Sequence, residues 1–204
     1  LVLPDDFIDI AEETGLIISL GRWVLEAACA QLAAWIAEPE MARLFLSVNI
    51  SARQLRDKRF VRHVLDAVDH SGADATRLKL ELTESMMLDD VGDTVTKMTA
   101  LKARGVGFSL DDFGTGYASL TYLKRLPLDQ LKIDRSFVSD MLSNPRDAAI
   151  ARTVVDLGRS LGLTVIAEGV ESQAQRDLLA AYGCQVFQGN LFGQPEPVEA
   201  LRQE

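Results

Sequence analysis

At 204 residues, with 48% hydrophobic content and a formal net charge of −9, the chain has enough apolar side chains to build one packed domain. The negative balance argues against broad binding to DNA or to anionic lipid, and Leu1-Val2-Leu3-Pro4-Asp5-Asp6 lacks the basic start of a signal peptide. No run approaches the roughly 18 to 20 apolar residues of a membrane span, and two unclustered cysteines, Cys29 and Cys184, form neither a zinc site nor a disulfide framework and read as buried thiols of a reducing compartment.

Residues 4–13 read as a short helix, with Pro4 near its start and Gly15 beyond its end. A long amphipathic helix is predicted over residues 16–37, with Trp23 and Trp35 as core anchors. From Arg43 onward, short runs rich in Val, Ile, Leu and Phe alternate with helical segments, and predicted strands fall at 44–48, 77–82, 106–110, 129–133, 163–167 and 184–187. Parallel strands need crossover helices. The rhythm therefore implies an α/β fold, either an open doubly wound sheet or a (β/α)₈ barrel short of its eight strands. Gly72, Gly105, Gly162 and Gly183 each follow an amphipathic run and are predicted helix C-caps. No linker, internal repeat or low-complexity segment interrupts the pattern.

Polar residues stand at or beside the C-terminal end of each predicted strand: Asn49, Glu81, Asp111 with Asp112, Lys132, Glu168 and Gln188. In barrels and parallel α/β sheets these ends converge on one face, where sites are built. Adjacent carboxylates repel unless a cation or proton lies between them, and their oxygens suit hard divalent ions. Asp112 reads equally as a turn or helix cap, and Asn49 as the cap of the helix after it. Glu81 lies among apolar strand residues, where an unpaired charge is costly. Lys132 between Leu131 and Ile133 reads as a buried salt bridge that can also hold a water or a phosphoryl oxygen. Asp134 is a cap or a ligand, Glu168 is favoured over Glu171 for the site, Glu84 suits a bracing role, and Gln188 an orienting one. His63 and His70 read as solvated and Met86-Met87 as packing. Gly114-Thr115-Gly116 matches neither a P-loop nor a dinucleotide fingerprint.

Taken together, Asn49-Ile50-Ser51, Glu81-Leu82-Thr83-Glu84, Asp111-Asp112-Phe113-Gly114-Thr115-Gly116-Tyr117, Lys132-Ile133-Asp134, Ala167-Glu168-Gly169-Val170-Glu171 and Gln188-Gly189 resemble the EAL-domain cyclic di-GMP phosphodiesterases. The resemblance runs from Pro4 to Pro195. It implies a modified TIM (β/α)₈ barrel and a single EAL-type domain over residues 1–204 that is truncated at its N-terminus. The Glu-Ala-Leu signature and the Arg that follows it in that family lie upstream of Leu1 in the pattern. It further implies hydrolysis of cyclic di-GMP to linear pGpG with two Mg²⁺ or Mn²⁺ ions and inhibition by Ca²⁺. Asn49, Glu81, Asp111, Asp112 and Glu168 would be metal ligands. Lys132 would hold the nucleophilic water or a phosphate oxygen, Glu168 would be ligand or general base, and Glu171 and Gln188 would support substrate or water, with Glu84 bracing the loop 112–120. Asn190 and Ala118 depart from the residues usual in the family. The same resemblance implies the partners: cyclic di-GMP, a second copy of the chain, an N-terminal sensory or diguanylate cyclase module, and no DNA. The domain would be cytoplasmic, in a parent protein that can be membrane-anchored. The rival reading is a cyclic di-GMP sensor or protein-interaction module without turnover.

Overall fold

In the computed structural model, which describes residues 2–87, 90–114, 120–198 and 200, the chain divides into two units. One comprises Leu1–Leu110 with Tyr117–Asp129, the other Asp111–Gly116 with Gln130–Glu204.

In the first unit the predicted opening helix is a 3₁₀ turn, Pro4–Asp6, followed by helix α1, Ile8–Thr14. Gly15 takes φ 81° and turns the chain into α2, Leu16–Trp35, a left-handed corner that glycine adopts without a Cβ penalty. Ile17, Gly21, Leu25, Ala28, Cys29, Leu32 and Trp35 form the buried face of α2. Trp35 is the expected core anchor, but Trp23 is 64% exposed, because position 23 falls off the face defined by 21, 25 and 28. Contrary to the composition reading, α2 has the length and apolar content of a membrane span. It nevertheless carries an Arg22–Glu26 ion pair at 2.8 Å and a buried face, as a core helix does.

Strand β1, Leu46–Asn49, leads through α3, Ala52–Arg56, and α4, Phe60–Ser71, to β2, Leu78–Thr83. Helix α5, Val91–Lys102, then precedes β3, Gly107–Phe113, whose last three residues belong to the second unit, and α6, Leu120–Leu123, ends the first. Strands β1 and β2 pair in parallel, with Val48 opposite Leu80 and Asn49 opposite Glu81. Leu78, Leu80, Leu82, Met98, Leu101 and Phe108 are fully buried, each such large side chain contributing about 1.5–3 kcal/mol. The start of β3 is pinned by Asp129, which accepts a hydrogen bond from the Phe108 N–H at 2.8 Å and another from Lys102.

In the second unit β4, Gln130–Ile133, leads into α7, Arg135–Ser139, and α8, Pro145–Leu161. Strand β5, Thr164–Ala167, helix α9, Gln173–Tyr182, and β6, Val186–Phe187, complete it. Strand β5 pairs in parallel with both β4 and β6. Helix α8 lies close on β5 because Gly158 has no side chain: a Cβ there would stand 2.2 Å from Val165 Cγ2.

The predicted strands thus exist within two or three residues, and Gly72, Gly105, Gly162 and Gly183 all take positive φ at helix ends. Both cysteines are buried and free. The main difference is β3, which continues through Asp111 and Asp112 to Phe113 where the sequence suggested an end at Leu110.

Candidate metal centre

A regular strand sends adjacent side chains to opposite faces, so Asp111 and Asp112 in β3 should diverge. They do not, because Asp112 takes φ 54°, the positive-φ non-glycine among the described residues. Aspartate is one of the few side chains that tolerates this left-handed turn. The Asp112 N–H donates to Asp111 Oδ1 at 3.0 Å, and carboxylate oxygens of Asp111, Asp112 and Glu168 all lie within 4.8 Å of one another.

The cation of this cluster comes from β4. Leu131 and Ile133 are buried in the core, and Lys132 between them points to the other face while remaining only 3% exposed. Its Nζ stands 3.2 Å from Asp111 Oδ2 and 2.5 Å from Glu168 Oε1. The buried salt bridge read from the sequence is present, with two carboxylate partners. Burial, then the charges of Asp111 and Asp134 and a hydrogen bond with Asp134, push the Asp112 carboxyl above its ordinary range, and Lys132 opposes them in part. One lysine therefore leaves the cluster with excess negative charge, and a carboxyl that holds a proton more readily than usual. Three hard oxygen donors, close together and short of positive charge, fit a divalent cation of the Mg²⁺ or Mn²⁺ type.

Glu168 directly follows β5 and donates its N–H to the Ile133 carbonyl at 3.2 Å. The next residue must be glycine: Gly169 has φ 66°, and a Cβ would lie 2.7 Å from Arg135 Cβ. Val170 then knits the loop to the segment after β6, donating to the Gln188 carbonyl and accepting from the Leu191 N–H, both at 3.0 Å. Gly189 makes this approach possible, since a Cβ there would stand 2.4 Å from the Val170 backbone. Of the two roles read from the sequence for Asp134, the structure shows the cap. Asp134 caps α7 by accepting the Ser136 N–H at 2.9 Å, and it also hydrogen-bonds Asp112. Glu171 and Gln188 are exposed beside these loops.

Within the first unit, Asn49 and Glu81 are register partners on β1 and β2, and the Ile50 N–H donates to the Glu81 carbonyl at 3.0 Å. Asn49 is not the cap of the following helix: Ser51 accepts the Gln54 N–H and Gln54 reaches back, a capping box. Glu81 and Glu84 are 8% and 3% exposed, and Glu84 opens a 3₁₀ turn, Glu84–Met87. Most of the loop 112–120, including Gly116, Tyr117 and Ala118, lies outside the described residues. Sequence reading quoted Gly189 in a motif without giving it a role, and passed over Gln175. The only signal for Gln175 is its place in Ser172-Gln173-Ala174-Gln175, a capping-box pattern.

The sequence profile of the EAL domain family matches residues 1–195. The chain is 44% identical over 201 residues to the bifunctional diguanylate cyclase/cyclic di-GMP phosphodiesterase MucR of Pseudomonas aeruginosa, covering 98% of this chain and 29% of MucR. It is 42% identical over 204 residues to the cyclic di-GMP phosphodiesterase NbdA of the same organism, covering 100% of this chain and 26% of NbdA. A solved structure of the PaMucR phosphodiesterase in complex with c-di-GMP aligns with a TM-score of 0.94 at 44% identity, covering 98% of this chain and 81% of that one. That likeness establishes the fold class expected from the sequence, part of a TIM-type (β/α) barrel. The chain spans less than a third of the length of these two relatives.

Proposed function

The chain belongs to the EAL domain family, and from that premise we propose that it is a metal-dependent phosphodiesterase hydrolysing cyclic di-GMP to linear pGpG. The observation that carries this reading is the cluster of Asp111, Asp112 and Glu168 around the buried Lys132. Asp111, Asp112 and Glu168 would hold a divalent ion, and the family resemblance assigns Asn49 and Glu81 as the further ligands that a second ion would need. The chemistry that bound Mg²⁺ or Mn²⁺ supplies is activation of water near neutral pH and polarisation of the phosphodiester. Lys132 places a fixed positive charge where a phosphoryl oxygen or the attacking water gains negative charge. Glu168, already hydrogen-bonded to Lys132, takes up the proton of that water. Asp134 steadies Asp112, and the family resemblance gives Glu171 and Gln188 the support of substrate or water and Glu84 the bracing of the loop 112–120. Ca²⁺, with looser coordination, supports binding but not turnover and so inhibits.

On this reading the domain works in the cytoplasm as a homodimer, within a parent protein bearing sensory or diguanylate cyclase modules. Incubation of the purified protein with cyclic di-GMP and Mg²⁺ or Mn²⁺, followed by chromatography, should yield pGpG. Glu168→Gln should lower the rate by at least about 100-fold while leaving the fold intact. Tight binding of cyclic di-GMP without product would instead make the domain a sensor.

A further inference from the structure

We propose that Gln175 is a positioning residue for this centre, its single amide tying the loop that carries Glu168 and Glu171 to the short helix that begins at Asp134. The assignment rests on the reading of the cluster as a metal site.

Gln175 lies in the first turn of α9 and is 6% exposed. Its Oε1 accepts the N–H groups of Glu171 and Ser172, both at 2.9 Å, and the Ser172 hydroxyl at 3.1 Å. A capping glutamine needs only the second of these. Its Nε2 points the other way, donating to the carbonyls of Val138 at 3.1 Å and Ser139 at 3.3 Å. Those are terminal carbonyls of α7, which a helix of five residues leaves without internal partners.

Helix α7 is short enough that its two ends move together. Asp134 caps one end and hydrogen-bonds Asp112, while Gln175 holds the other. On the opposite side of the same amide, the Glu171 backbone is three residues from Glu168. At the near end the Glu168 N–H donates to the Ile133 carbonyl at 3.2 Å and Gly169 packs against Arg135, a steric contact that limits approach without preventing separation. Gln175 supplies the attraction at the far end of α7. Residues that orient metal ligands through hydrogen bonds typically change metal affinity or activity by about 10- to 100-fold when replaced.

The amide separates into two halves experimentally. Gln175→Glu keeps an acceptor for Glu171 and Ser172, places a negative charge at the N-terminus of α9 where it is tolerated, and removes the donor to α7. Gln175→Met keeps the volume and removes both halves. Leu179→Ala, in the core of the same helix, softens α9 without touching the bridge. Mn²⁺ binding without substrate is read by titration calorimetry on each folded protein, with circular dichroism to establish folding. The expected result is an approximately 10-fold or greater loss of Mn²⁺ affinity in Gln175→Glu and Gln175→Met, and affinity within twofold of wild type in Leu179→Ala. Should Gln175→Glu fail to fold, Gln175→Met decides. Wild-type affinity in the folded Gln175 variants, or an equal loss in Leu179→Ala, overturns the assignment alone. A wild-type protein that binds no Mn²⁺ overturns the metal-site reading and this assignment with it.

Discussion

Replacing Lys132 with methionine keeps most of the side-chain volume and deletes the charge that pairs with both Asp111 and Glu168. The contacts, at 3.2 and 2.5 Å, carry gross attractions of about 5 and about 7 kcal/mol at an effective dielectric near 20, most of it offset by the desolvation of the ammonium. Cutting a buried pair on one side typically costs about 3–5 kcal/mol, because the remaining charge is stranded. Here the two carboxylates keep 13% and 17% of their exposure, so water relieves part of the penalty and the lower end applies, about 3 kcal/mol. For a chain of this size that is about 6–12 °C in the thermal midpoint. Unfolding by heat and by urea in EDTA, wild type against Lys132→Met, reads the difference. Mn²⁺ should then restore more stability in the variant than in the wild type, since a cluster without its lysine attracts a divalent ion more strongly. Hydrolysis should stay lost. A difference below about 1 kcal/mol in EDTA would refute the view that Lys132 is the cohesive charge of the apo cluster.

Gly158→Ala should destabilise, by about 1–3 kcal/mol in urea unfolding, although alanine is ordinarily the better helix former by about 1 kcal/mol. The sign reverses because the new Cβ would lie 2.2 Å from Val165 Cγ2; a more stable variant would mean that α8 can shift off β5 freely. Burial pushes the Cys29 thiol from an ordinary value of 9.0 up to about 11. The unfolded chain therefore releases this proton first, and stability should fall as pH rises through that window by about 1.4 kcal/mol per pH unit. Cys29→Ala should show a shallower decline between those limits, and a parallel decline in both proteins would exclude the thiol as its source.

The sequence alone was enough for the βα rhythm, the helix ends at Gly72, Gly105, Gly162 and Gly183, and the polar side chains at the strand ends. Each depends on neighbours in the chain: a periodicity of apolar residues, a glycine where φ must be positive, a carboxylate where a strand runs out. The resemblance to a family added roles to those residues, but not their contacts. Only the tertiary structure decided which tryptophan is inside, since it sets which face of α2 is packed, with Trp35 on that face beside Leu32 and Trp23 off it. The same holds for the pairing of Lys132 with both Asp111 and Glu168, and for the turn at Asp112 that aligns two carboxylates a strand would separate. It also holds for the glycines at 158 and 189, whose neighbours are Val165 and Val170. These features depend on how different elements pack on one another and on backbone angles at single residues, and local periodicity carries no measure of either.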